Sequence, residues 1–192
     1  MTTIVIALAD GFAEWETTLL GAVARSYYRA EVRYAAPGAR PVTSMGGMTV
    51  TPDLALDAID RDAIDALVVC GGTIWQTSDA PDLTALLTGA RARGKVVGAI
   101  CDGTIAAARS GILDAVRHTS NGAGHLDGTG YGGKARYENV PHAVTDHGIV
   151  TAPGTAPVSF MAEVMKATGL ADDQLAPFVA MHAAQYGGSS HP

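Results

Sequence analysis

Several short apolar runs recur along the chain without the alternation of a half-exposed strand, and they constrain the fold more than any other feature. Residues 3–9 (TIVIALA), 66–72 (ALVVCGG) and 95–101 (KVVGAIC) are of strand length and apolar on both faces. Strands of that kind are covered by helices on both sides. Helical patterns separate them, over residues 14–29, over 80–93 and in a short stretch ending at Gly111. EVRYAAP (31–37) alternates and stops at a Pro-Gly turn, and residues 41–52 read as a small ribbon around Gly46-Gly47. AVRHTS (115–120), AVTD (143–146) and IVTAPG (149–154) are further strand candidates, and helices from Val158 and from Ala171 close the chain. This alternation predicts an α/β fold with a mostly parallel sheet and helices on both faces. Ligands of such sheets sit beyond the carboxyl ends of the strands.

Three of those ends carry chemically suggestive residues: Ala9-Asp10-Gly11, Cys70-Gly71-Gly72 and Ile100-Cys101-Asp102-Gly103. Cys101 closes an apolar strand and is followed at once by a short Ala-rich helix, TIAAARSG. A nucleophile at such a strand-to-helix elbow stands proud of the sheet, and the helix start favours a thiolate. Ala99 stands where a strict G-x-nucleophile-x-G pattern has its first glycine. The same stretch also fits a buried structural cysteine. Cys70 ends a strand too, but Gly71-Gly72 intervene before any helix. It reads as core, with Gly71 and Gly72 offering backbone N–H groups to an oxyanion.

Helical periodicity after the first strand groups Glu16 with Leu19, Leu20, Val23 and Tyr27, and puts Glu14 with Thr17, Thr18, Gly21 and Arg25 on the polar face. A carboxyl on an apolar stripe is pushed toward its protonated form, which donates a hydrogen bond. Glu16 is therefore expected to meet Cys101 and to stabilise its thiolate without adding a like charge. Residues 122–133 are crowded with glycine and carry His125 and Tyr131, as a surface loop or as a lid that turns those side chains inward. His118, in AVRHTSN, is the first candidate for a base and His125 the second.

Charge and motifs exclude several classes. Acids outnumber bases, 19 to 13, for a net charge of -6, which argues against nucleic-acid and anionic-membrane partners. No apolar run is long enough to span a bilayer. The N-terminal MTTIVIALADGF has no basic region and reads as a strand, so no secretory signal is expected. With only two cysteines, this predicts a reduced, cytoplasmic chain. The six histidines show no metal-ligand spacing, and neither a dinucleotide fingerprint nor a P-loop occurs, so no metal or cofactor is expected. Residues 1–186 are expected to form one domain, with 187–192 (GGSSHP) as a disordered tail.

Glu16, Gly71-Gly72 and the Ala-Ile-Cys-Asp-Gly turn, together with ADGFAEWET, VVCGG, VVGAICDGTIAAARSGIL and IVTAPGTAP, resemble the DJ-1/PfpI superfamily over essentially the whole chain. The start and the R-H-T-S-N segment look closest to its glutamine amidotransferase-like, intracellular protease/amidase-like branch. The resemblance implies a flavodoxin-like three-layer sandwich, a homodimer, Cys101 as nucleophile, Glu16 as the protonated partner of its thiolate, and an oxyanion site at Gly72 and the backbone of Asp102. It also implies a small electrophilic substrate: a 2-oxoaldehyde in a glyoxalase-like reaction, or an amide or isonitrile in hydrolysis or hydration. The alternative it implies is a non-enzymatic oxidative-stress sensor or chaperone that uses Cys101 oxidation. Two departures narrow the choice. Asp102 stands where peptidase-like and glyoxalase-like members often have His, and no H-x-E occurs, so glutamine amide transfer and a sequence-adjacent peptidase dyad are not expected.

Overall fold

The computed structural model describes residues 1–187. Nine strands and five α-helices follow in the order β1 (Thr3–Ala7), α1 (Glu14–Tyr28), β2 (Glu31–Ala36), β3 (Val42–Thr43), β4 (Thr49–Val50), β5 (Leu54–Ala55), β6 (Ala66–Val69), α2 (Thr84–Ala92), β7 (Val96–Ile100), α3 (Gly103–Arg109), β8 (Val144–Asp146), β9 (Ile149–Ala152), α4 (Pro157–Ala167) and α5 (Leu175–Gly187). Seven strands form one sheet in the order β5-β2-β1-β6-β7-β9-β8, and β3 pairs with β4 as a separate ribbon. Every pairing in the large sheet is parallel except that of β8 with β9 at its edge. This is the α/β, flavodoxin-like arrangement expected.

The apolar runs are non-alternating because both faces of the sheet are covered. Ile4, Ile6, Val68 and Ile100 pack with Leu20 and Val23 of α1 and with Phe160, Met161 and Val164 of α4. The alternate residues Val5, Leu67, Val69 and Val97 face the other way, against Leu86, Leu87 and Ala90 of α2 and Ile105–Ala108 of α3. Each fully buried aliphatic side chain contributes about 1.5–3 kcal/mol, so the central strands hold the sheet and fix where its carboxyl edge lies.

Several boundaries differ from the sequence pattern. α2 begins at Thr84 rather than at residue 80, because Pro81 interrupts the pattern and Asp82 Oδ1 accepts the Thr84 N–H at 2.8 Å. α5 begins at Leu175 rather than Ala171, after a turn in which Asp172 Oδ1 accepts the Gln174 N–H at 2.9 Å. AVRHTS is not a strand: it makes a single bridge, His118 to Tyr137, and Thr119 N–H bonds the Thr151 side chain instead of a neighbouring backbone. On α1 the buried stripe holds Glu16, Leu20 and Val23 as expected, but it also takes Thr17 and Gly21 and leaves Tyr27 exposed. The expected tail lies outside the described residues except for Gly187, which ends α5. No helix of the described residues is long and apolar enough to cross a membrane.

Candidate active site

Three adjacent parallel strands and one helix start converge at the carboxyl edge of the sheet. β6 runs into Cys70-Gly71-Gly72, β7 into Cys101, and β9 into Pro153-Gly154. The start of α1 is tied to β6 by the Ala13 N–H, which bonds Gly71 O at 3.0 Å, and this places Glu16 over the strand ends. Cys101 has φ +56°, a left-handed conformation that costs a residue with a Cβ about 1–2 kcal/mol. The strand before it and the helix after it hold it there. Its N–H donates to Ala152 O at 2.9 Å, and its carbonyl accepts from Thr104 Oγ1 at 2.5 Å.

Glu16 is fully buried. Its Oε2 accepts the Gly71 N–H at 2.8 Å, whereas Oε1 is buried and without a hydrogen-bond partner among protein atoms. Oε1 and Cys101 Sγ both border Gly154: a Cβ there would lie 2.9 Å from Oε1 and 2.8 Å from Sγ. A Cβ on Gly71 would strike the Glu16 carboxylate and Cys101 Cβ, at 2.6 Å in the latter case. The two glycines therefore admit the carboxyl and the thiol to each other.

Burial pushes the Glu16 carboxyl up to about 7, against the lowering effect of the neighbouring Cys101 thiol and of its bond to Gly71. Burial, and then the hydrogen bond and charge of an ionised Glu16, push the Cys101 thiol up to about 12. Both Glu16 contributions require the carboxylate. When the proton shared by the pair sits on Glu16 Oε1, they vanish and the acid becomes a donor to sulfur. Asn121 Nδ2 donates to the same sulfur at 3.2 Å, so a thiolate formed there would have two donors beside it, Asn121 and the neutral acid, to set against the cost of burial. Cys70 has no such surroundings. It is buried against Thr17 and the Ala13 carbonyl, and burial pushes its thiol far up.

The oxyanion expectation divides. The Gly71 N–H is taken by Glu16, so Gly71 has no donor left for a substrate. Among the described residues, the N–H groups of Gly72 and Asp102 make no backbone hydrogen bond, and they are the two that remain.

The carboxylate of Asp102 is the hub of a polar cluster. Oδ1 accepts from Asn121 Nδ2 at 3.1 Å and pairs with His125 Nε2 at 2.9 Å, and Oδ2 accepts from Gln76 Nε2 at 2.7 Å. Asn121 also uses its Oδ1 to hold the Gly154 N–H at 2.9 Å, while Trp15 Nε1 holds the Gly154 carbonyl at 3.2 Å. Asn121 thus touches the nucleophile, its neighbouring acid and the glycine opposite. Sequence reasoning missed both Asn121 and Gln76. The only signal for Asn121 was its place in R-H-T-S-N.

His118 is not brought to Cys101. It is fully buried, with Nδ1 against Val116 O at 2.9 Å and Nε2 against Tyr131 Oη at 3.3 Å. Its ring sits edge-on to Tyr131 and Tyr137. The glycine-rich segment is pinned by His125 to Asp102, by Leu126 in the core, by Tyr131 to His118 and by the Gly132 N–H to Asp114 Oδ1. Desolvation holds His118 below the ordinary histidine range. Its contribution to stability is therefore present above about pH 6.5, the ordinary value, and is lost as pH falls below it. Limited proteolysis within 122–133 is expected to accelerate between pH 7.5 and 5.5 in the wild type and less in His118→Gln. An equal acceleration in both chains removes His118 as the cause.

Comparison with known proteins gives the family. The DJ-1/PfpI family model matches residues 2–167. The chain belongs to the DJ-1/PfpI family. It is 44% identical to the DJ-1 superfamily protein Atu0886 from Agrobacterium tumefaciens, with a TM-score of 0.94 over 97% of this chain and 100% of that one. A thiJ/pfpI family protein from Bacillus anthracis is 29% identical, with a TM-score of 0.86 over 96% of this chain and 92% of that one. A curated relative, the uncharacterized protease YoaZ of Bacillus subtilis, is 33% identical over 127 residues, which are 65% of this chain and 60% of that protein. One fold can host many chemistries, so function is read from the site and not from the fold.

Proposed function

We propose that this DJ-1/PfpI protein is a cysteine-dependent enzyme of the hydrolase or lyase kind, acting on the electrophilic carbon of a small molecule. The observation that carries the proposal is the buried, unpartnered Glu16 Oε1 facing Cys101 Sγ across Gly154. The Cys101 thiolate adds to the carbon, and the N–H groups of Gly72 and Asp102 receive the developing oxyanion. Glu16 Oε1 carries the proton that the sulfur gives up and returns it later. A 2-oxoaldehyde fits this apparatus, as does an amide or an isonitrile.

Alkylation tests the nucleophile first. Cys101 is expected to react with iodoacetamide well below the free-thiol pKa of about 8.5, while Cys70 reacts only on unfolding. Turnover in a screen of dicarbonyls, amides and isonitriles is expected to vanish in Cys101→Ser. Two cysteines that react alike overturn the assignment. The same Glu16 carboxyl would also donate to an oxygen placed on sulfur by oxidation. Sulfinic acid confined to Cys101 at low peroxide, without turnover of any screened substrate, selects the oxidation-sensor reading instead.

A further inference from the structure

We infer that Asp102 makes this site selective for uncharged electrophiles and excludes anionic ones, such as substrates bearing a free carboxylate. The inference rests on Cys101 being the nucleophile and adds the charge class of its substrate. One amide nitrogen, Asn121 Nδ2, donates to both Cys101 Sγ and Asp102 Oδ1, at 3.2 and 3.1 Å. The carboxylate therefore lies within two hydrogen bonds of the reacting sulfur. Its two oxygens are met by Gln76, Asn121 and His125, and it is nearly inaccessible to solvent. Screening by water and salt is weak at such a position.

Among the described residues, no lysine or arginine forms an ion pair with Asp102, its partner being His125. Among the described residues, the side chains that hydrogen-bond Sγ, Asp102 or Gly154 are those of Trp15, Gln76, Asn121 and His125, and Glu16 borders Sγ beside Gly154. Only His125 can carry positive charge, and it is already paired with Asp102. A second acid, Glu16, points its unpartnered buried oxygen into the same space. It stays neutral only while it holds the pair's proton. A substrate carboxylate arriving at the thiolate would meet this field with no cation to receive it. A neutral aldehyde, amide or isonitrile would not, and the donors on Gly72 and Asp102 serve its oxygen or nitrogen only after attack.

Iodoacetamide and iodoacetate separate the two cases, because they differ in charge and little in size. In each, the Cys101 thiolate displaces iodide, forming a carbon–sulfur bond as the carbon–iodine bond breaks. Rates at Cys101 are read by peptide mass spectrometry, with free cysteine in the same buffer as reference. The iodoacetamide-to-iodoacetate ratio is expected to exceed the free-cysteine ratio by about tenfold at low ionic strength. It is expected to fall toward that reference in Asp102→Asn, and in the wild type only slowly with added salt. A wild-type ratio equal to that of free cysteine, or one unchanged in a folded Asp102→Asn, overturns the inference while leaving Cys101 as nucleophile. Should Asp102→Asn not fold, the wild-type ratio and its salt dependence decide alone. A folded chain whose Cys101 is inert to both reagents overturns the nucleophile and the inference together.

Discussion

Replacing Gly154 with alanine is expected to abolish the reactivity of Cys101 while leaving the chain folded. The added methyl would stand 2.8 Å from Sγ and 2.9 Å from Glu16 Oε1, inside the contact distance of both. It must push the thiol and the carboxyl apart or tilt one of them away. Misplacement of a reacting group by about 1 Å costs about 100-fold in rate, and a loss of that size is expected in alkylation by iodoacetamide at pH 7. Overpacking of this kind costs about 1–3 kcal/mol, so the melting temperature should fall by several degrees without loss of the native circular dichroism. Gly169→Ala is not a fair control, because Gly169 has φ +72°; Ala123→Gly in the surface loop serves better. A Gly154→Ala chain that alkylates at the wild-type rate would mean that the carboxyl and the thiol do not act as a pair.

The second large effect concerns Glu16 and pH. While Cys101 keeps its own proton, the folded chain raises this carboxyl from 4.5 to about 7, so between those values the folded state binds a proton that the unfolded chain has released. Stability from this group is complete below about pH 4.5 and is lost as pH rises through about 7. A shift of that size corresponds to on the order of 3 kcal/mol. Glu16→Gln keeps the amide-sized group and the Gly71 contact but cannot ionise. Urea unfolding at pH 5 and pH 8 should therefore show the wild type losing stability relative to the variant, by on the order of 3 kcal/mol. The same substitution keeps a hydrogen-bond donor beside sulfur but removes a proton that can be transferred, so alkylation should suffer less than turnover. Parallel pH profiles for both chains would show that the folded pair holds no more protons than the unfolded one, Glu16 being neutral only at the expense of the Cys101 proton.

How much of this could be read from residues depends on how each signal is encoded. The sheet was legible because burial on both faces forces non-alternating strands, and three of them run between helices with strong periodicity. Glu16 was legible for the same reason: a carboxylate on an apolar stripe is conspicuous even though the stripe proved broader, taking in Thr17 and Gly21 and leaving Tyr27 outside. Asn121 had no comparable mark. It lies in a segment without periodicity, and its importance comes from touching three residues distant in sequence. His118 misled because a histidine after an apparent strand beside the elbow looks like a base. The strand is absent, and the ring is turned into a pocket of two tyrosines. Gly71 was read as an oxyanion donor because nothing in its neighbourhood showed that Glu16 would claim its N–H.

The two glycines that bring thiol and carboxyl together have a consequence for how such a site can diversify. Its floor consists of missing side chains, and any atom added at Gly71 or Gly154 collides with the reacting pair. Change there is all-or-nothing. Around this floor stand Trp15, Gln76 and the segment that carries Asn121 and His125; Asn121 alone of these bonds the reacting sulfur, while the others reach only Gly154 or Asp102. New substrates would therefore be acquired by exchanging rim residues one at a time above an unaltered floor, and two chains with the same floor need share no substrate.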